Sequence, residues 1–252
     1  MIHAQARLGK QEGLVNVGLW PRSRANHPPR VLVPTWVLVA LGTPLLALLT
    51  IPLLSLVLKT PPLAVVQSLR EPATRSAISL SLATSVVSAC LAALFGTPLA
   101  YLLARKRPRV LPALEVLLDL PTVLPPSVAG LALLMAFGRR GLVGGWLATL
   151  GVQLPFTPIA VVMAQLFVAA PYFIKTAALG LSGVSRELEQ AAALDGASTM
   201  GTFRYVTLPL AWQSMVAGIA LCWARALGEF GATIIFAGNL PGRTQTMPLA
   251  VY

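Results

Sequence analysis

The sequence predicts an all-α fold, a polytopic transmembrane helical bundle with five membrane spans. Three observations carry this expectation. Of 252 residues, 56% are apolar and only 11% charged, with a mean hydropathy of +0.76, whereas a soluble domain carries about a quarter charged residues. The apolar residues gather into runs of about 20 or more, the length a helix needs to cross a bilayer. The basic excess, a net charge of +11, clusters between those runs, as membrane topology requires. It builds no basic face with interleaved aromatics, so nucleic-acid binding is not expected.

The elements follow in order. Residues 1–33 are polar and basic, with Arg7, Lys10, Arg22, Arg24, Arg30 and Pro28–Pro29, and read as a disordered cytoplasmic tail. The apolar run behind it is too long for a signal-peptide core and has no small-residue cleavage site. It is read as an uncleaved first span at about 36–58, opening a transmembrane domain over 34–252. Pro44 and Pro52 inside it are tolerable where neighbours satisfy the freed carbonyls. A second span is expected at about 77–104, with Ser79, Ser81, Ser85 and Ser88 as a helix-packing face. The third, at about 111–137, contains DLPTVLPPSVAG. Pro121, Pro125 and Pro126 must bend or break it, since each removes an N–H and disfavours helix at the residue before it. The fourth covers about 159–179 and the fifth about 209–236, its helix ending near Leu227 or continuing to Phe236.

Lys and Arg in the connections set the orientation. With the N-terminus inside, twelve fall in cytoplasmic segments and six outside. The segment between the fourth and fifth spans, ELEQAAALDGASTMGTFRYVTLPLAW, is then cytoplasmic. In it Val184, Leu188 and Ala191 or Ala192 recur at helical spacing. Ser185 is placed as an N-cap, and Glu187 and Glu189 suit the first turns. Gly196 can take a positive φ and reverse the chain. Pro209 suits the first turn of the next helix. From these residues alone, the loop over about 184–206 is either an amphipathic segment at the lipid interface or a docking element.

This loop resembles the EAA loop of bacterial ABC importer permeases: E-A-A, three residues, G, nine residues, then I-x-L-P. Here Gln190-Ala191-Ala192, Gly196 and Val206-Thr207-Leu208-Pro209 keep that spacing, with Gln190 for the first Glu and Val206 for Ile. DLPTVLPPSVAGLALLMAFGRRGLVG and ARALGEFGATIIFAGNLPGRTQTMPLAVY are similar to the molybdate branch of that family. GEFGA is shared with sulfate permeases. The resemblance implies an ATP-driven importer working by alternating access in the bacterial inner membrane. It implies a homodimer of this subunit with two ATP-binding cassette subunits and an extracytoplasmic oxyanion-binding protein. Molybdate is the implied substrate, with sulfate or tungstate as the alternatives. Glu189, Gln190, Ala191, Ala192, Gly196, Leu208 and Pro209 would couple to the ATPase. A sixth span is expected after the PLAVY stretch.

The chemistry present is sparse. None of the eight acids forms a hydrolytic dyad or triad with a nucleophile and histidine. The sequence contains no G-x-x-x-x-G-K-[ST], so ATP hydrolysis is expected on a partner. No cofactor or metal is implied, and Cys90 and Cys222 lie inside apolar runs, where they read as packing residues. Glu115 and Asp119, i and i+4, either complement a helix dipole or serve a gate. Arg225 and Glu229, also i and i+4, are either a structural ion pair or part of the pathway, since intramembrane charge faces a partner or water. The pathway or gate candidates are Pro125, Pro126, Ser127, Arg225, Gly228, Glu229 and Gly231. A passive channel would need rings of selective groups and no docking loop. A membrane enzyme would need a convergent polar site that this chain lacks.

Overall fold

The structure, a computed structural model, describes residues 34–105 and 111–252. The expected tail, and the basic link at 106–110, lie outside the described residues. The chain forms two units, 1–61 and 62–252. The described part of the first is one helix, α1 (Thr35–Lys59), which continues through both Pro44 and Pro52.

The second unit begins with α2 (Pro62–Arg70) and α3 (Pro72–Arg105). Hydropathy alone does not separate α2 from its surroundings. The third apolar stretch is two helices, α4 (Leu111–Val123) and α5 (Pro126–Phe137), bent by 116° at their junction. Pro125 is extended (φ −53°, ψ 135°) and Pro126 occupies the first turn of α5. The bend or break expected within 111–137 falls at Pro125–Pro126, because two adjacent residues have no N–H to carry the helix ladder. Pro121 lies within α4 without ending it.

Next come α6 (Gly144–Thr149) and α7 (Pro158–Ser182). Thr157 caps α7, its hydroxyl accepting from Ala160 N at 3.2 Å. Then follow α8 (Arg186–Leu194), α9 (Thr199–Thr202), a π-turn (Phe203–Thr207) and α10 (Leu208–Leu227). Two short helices come last, α11 (Gly231–Phe236) and α12 (Met247–Val251). The fifth stretch ends its long helix at the nearer of the two expected limits. Helix stops at Leu227 and restarts at Gly231, so 209–236 is not one helix. Upstream, helix runs unbroken from Thr199 to Leu227 through the π-turn. Among the described residues four helices are long and apolar enough to cross a membrane, five if the bent pair counts as one.

In the second unit α3, α7 and α10 pack against one another, and α11 packs on α5 and α7. Their shared core is mostly alanine, around Phe173, Ile174 and Leu181. Small residues let helix backbones approach closely, which is how helices associate where lipid removes the hydrophobic drive. Phe173, fully buried, is seated between two glycines. A Cβ on Gly96 would approach its ring at 2.9 Å, and one on Gly218 at 3.2 Å. The serine face of α3 is real from Ser81 onward, while Ser79 is exposed. Ser88 Oγ contacts Gln165 Oε1 of α7 at 3.2 Å, Ser85 Oγ accepts from Trp223 Nε1 of α10 at 3.0 Å, and Ser81 Oγ accepts from Met247 N of α12 at 2.6 Å. Large apolar side chains of α3, α7 and α10 such as Leu94, Phe95, Leu179 and Trp212 stay exposed, the arrangement suited to lipid.

Candidate coupling loop and translocation cleft

The loop between α7 and α10 is built as its local sequence dictates. Ser185 caps α8, its Oγ accepting from Glu187 N at 3.2 Å. Glu187 and Glu189 occupy the first turn, where the helix dipole favours acids. At the other end Gly196 has φ +88°. Ala197 N donates to Ala192 O at 3.0 Å and Gly196 N to Ala193 O at 3.1 Å, the paired bonds of a Schellman turn. Ser198 then caps α9, accepting from Gly201 N at 3.1 Å. Pro209 sits in the first turn of α10, and half-buried Leu208 packs on the core.

Gln190 and Ala191 are exposed and Ala192 half-buried. Leu194 and Met200 stand 89% and 72% exposed, with Leu188 and Tyr205 also outward. Of the apolar face expected over 184–192, only Val184 is buried. The loop thus presents apolar side chains outward around a small-residue centre. Glu189 does not share that face. Its side chain is 17% exposed, and its Oε1 accepts from Arg105 Nη2 of α3 at 2.8 Å and from Thr207 Oγ1 at 2.6 Å. Arg105 and Thr207 carry no sequence signal for this meeting, which joins residues 84 apart.

The second constellation lies where the two helix breaks meet. A Cβ on Gly231 would fall 2.6 Å from Pro126 Cβ and 3.2 Å from Ser127 N, so the start of α11 rests on the start of α5. Pro126, Ser127, Arg225, Gly228, Glu229 and Gly231, with Phe230, line a cleft of about 340 Å³. Pro125 stands just outside it, as the cap of α5. Glu229 is 1% exposed and Arg225 28%. Glu229 Oε1 accepts from Ala232 N at 2.8 Å, satisfying one orphan donor of α11. Its Oε2 lies 2.6 Å from Arg225 Nη1, a charge contact without an aligned hydrogen bond. Seventeen residues of helix at about 1.5 Å each put Arg225 about 26 Å from Leu208, close to the depth of a bilayer core.

Asp119, read from sequence as complementing a helix dipole or serving a gate, pairs with Lys175 of α7. Both are about half exposed, beside a cavity of about 350 Å³ that Glu115 also lines.

A bundle of apolar helices, four or five of them able to cross a bilayer, with a capped, outward-facing loop defines the class: a multi-pass membrane protein. Comparison with known proteins then fixes the family. Residues 96–251 match the binding-protein-dependent transport system inner membrane component, and the chain belongs to that family of ABC permeases. It is 40% identical to the molybdenum transport system permease protein ModB of Mycobacterium tuberculosis, over 90% of this chain and 85% of that one. It is 35% identical to NifC of Clostridium pasteurianum, described as a probable transport system permease protein, over 91% and 80%. It is 37% identical to cysT of Nephroselmis olivacea, described as a probable sulfate transport system permease protein, over 72% and 64%. The chain is therefore a transport component of the inner membrane.

Proposed function

We propose that this chain carries molybdate across the inner membrane by alternating access, as one of two identical subunits driven by a separate ATPase. The observation that carries the coupling is the α8–α9 loop. It is capped at both ends, turned at Gly196 by a full Schellman motif, and presents Leu188, Leu194 and Met200 outward. An exposed apolar patch on a rigid, capped element marks a contact site. Its position on the cytoplasmic side rests on the basic balance of the connections, with the N-terminus inside. ATP would act by favouring one of two arrangements of the bundles, since a ligand shifts an equilibrium only through differential affinity. An extracytoplasmic binding protein would deliver the anion.

The cleft at Arg225 suits passage more than capture. Its arginine is paired with Glu229, so the local charge is near balance and a dianion meets only a modest attraction. Conduction needs a site weak enough to leave, and tight selection then belongs to the binding protein. Molybdate is favoured over sulfate by the similarity to ModB proteins at 40% identity over nine-tenths of the chain. The test is uptake of labelled molybdate into proteoliposomes holding this chain and its ATPase, with binding protein outside. ATP-dependent uptake that excess sulfate competes poorly supports the reading. Uptake that needs neither ATP nor an associated ATPase would make the chain a channel, and equal competition would move the substrate to sulfate.

A further inference from the structure

One carboxylate oxygen joins three separate parts of the second unit. Glu189 Oε1 accepts from Arg105 Nη2 at the last residue of α3 and from Thr207 Oγ1 at the last residue of the π-turn. Arg105 also donates from Nη1 to Val184 O, 3.0 Å, ahead of α8. The link is reciprocal, because Arg186 Nη2 of α8 donates to the Arg105 carbonyl at 3.1 Å. The Arg105 side chain is only 8% exposed. Its Nε is buried with no hydrogen-bond partner among the described residues. The geometry is that of a fork: a planar guanidinium holds the carbonyl before α8 and the carboxylate within it, a task lysine's single ammonium cannot copy.

We propose that Arg105 and Glu189, with Thr207, form the clamp that transmits movement of α8 to α3 and α10, and that Glu189 is a positioning residue, not part of the face that meets the ATPase. This rests on the coupling role proposed for the loop. Without the clamp, the side-chain hydrogen bond left between α8 and α3 among the described residues is the Arg186 contact, and along the chain α8 reaches α10 through Gly196, α9 and the π-turn. A push on α8 would then be taken up by the turn at Gly196, where no neighbour lies within 4 Å of a built Cβ. With the clamp, displacement of α8 loads the end of α3 and the base of α10 together. The π-turn places Thr207, fully buried, at the point where the loop becomes α10.

The test uses the whole complex of this chain with its ATPase subunits and binding protein in proteoliposomes. Two quantities are read: ATPase retained on purification through this chain, and anion transported per ATP hydrolysed. Glu189→Ala and Arg105→Ala should each keep the ATPase at wild-type level while transport per ATP falls at least about tenfold. The double variant should be no worse than the poorer single one, since the two residues act as a unit. If the alanine variants do not accumulate in the membrane, Glu189→Gln and Thr207→Val carry the test. Gln keeps an acceptor oxygen but loses the charge, and each variant should lower the ratio about threefold. Ratios within about twofold of wild type across the set overturn the clamp, as do multiplicative losses in the double variant. Loss of the ATPase in Glu189→Ala overturns it too, by placing Glu189 on the docking face. Failure of the wild-type chain to retain any ATPase would instead sink the coupling role itself.

Discussion

Gly196 allows conformation and space to be separated experimentally. Its φ of +88° lies in the left-handed region, yet a Cβ there would meet nothing within 4 Å. The cost of a side chain is therefore the backbone cost alone, about 1–2 kcal/mol for an L-residue. Asparagine, which bonds its own backbone and tolerates this region, should cost less. Proline locks φ near −65° and removes an N–H, here the donor that reaches Ala193 O at 3.1 Å. Together those losses come to about 3 kcal/mol or more. At about 1.4 kcal/mol per tenfold, alanine shifts the turn equilibrium by about 5- to 30-fold and proline by more than about 100-fold. ATP-driven molybdate uptake in proteoliposomes should then fall least for Gly196→Asn, further for Gly196→Ala and furthest for Gly196→Pro. Gly196→Ser and Gly196→Leu should stay close to Gly196→Ala, because size should not matter. If losses instead climbed from Ala through Ser to Leu, the open-space reasoning would be wrong. If Gly196→Pro kept more than about half of wild-type uptake with its ATPase bound, the turn would not be part of the coupling path.

Three further outcomes are expected. Gly130 packs on α11 so closely that a Cβ would lie 2.7 Å from Ala232 O; Gly130→Ala should cost about 1–3 kcal/mol as overpacking, read as a lower melting midpoint in detergent, and an unchanged midpoint would refute the close packing. Glu229→Ala removes the acceptor of Ala232 N and strands Arg225, so a loss of about 3 kcal/mol is expected, with Glu229→Gln milder on the same melt; equal midpoints for the two would refute the charge assignment. The Asp119–Lys175 pair is half exposed, where ion pairs contribute about 0–1 kcal/mol. Asp119→Asn should therefore melt within about 4 °C of wild type, and a larger fall would refute the solvent-screened pair.

Much of the architecture is legible in the sequence because its causes are local. Ser185 caps α8, Gly196 turns the chain and Pro125–Pro126 breaks the third stretch through backbone constraints that act within a few residues. The serine face from Ser81 to Ser88 is legible from periodicity. What stays hidden is set at long range or runs against the usual pattern. Apolar spacing over Val184, Leu188 and Ala191 marks one side of a helix without saying what it faces, and only Val184 is buried. A docking element keeps apolar side chains outside, so periodicity alone cannot assign its direction. The π-turn at Phe203–Thr207 has no composition of its own, and the Arg105 partner of Glu189 lies 84 residues away.

One regularity is nevertheless present in the sequence and explained only by the structure. Among the described residues three ion pairs occur, and two of them stand at a helix end or break. Arg105 ends α3 and meets α8, and Glu229 lies between α10 and α11, while the Asp119–Lys175 pair joins the interiors of α4 and α7. A break in a helix frees N–H and C=O groups that lipid cannot satisfy. Glu229 takes up the freed Ala232 N–H, and Arg105 takes up the Val184 carbonyl. In a chain with only 11% charged residues, Glu229 beside Gly228 and Gly231 and Arg105 at the end of α3 thus mark joints. Those joints are also where rigid helices can turn against one another, so the residues that make a broken helix tolerable stand where alternating access would have to bend.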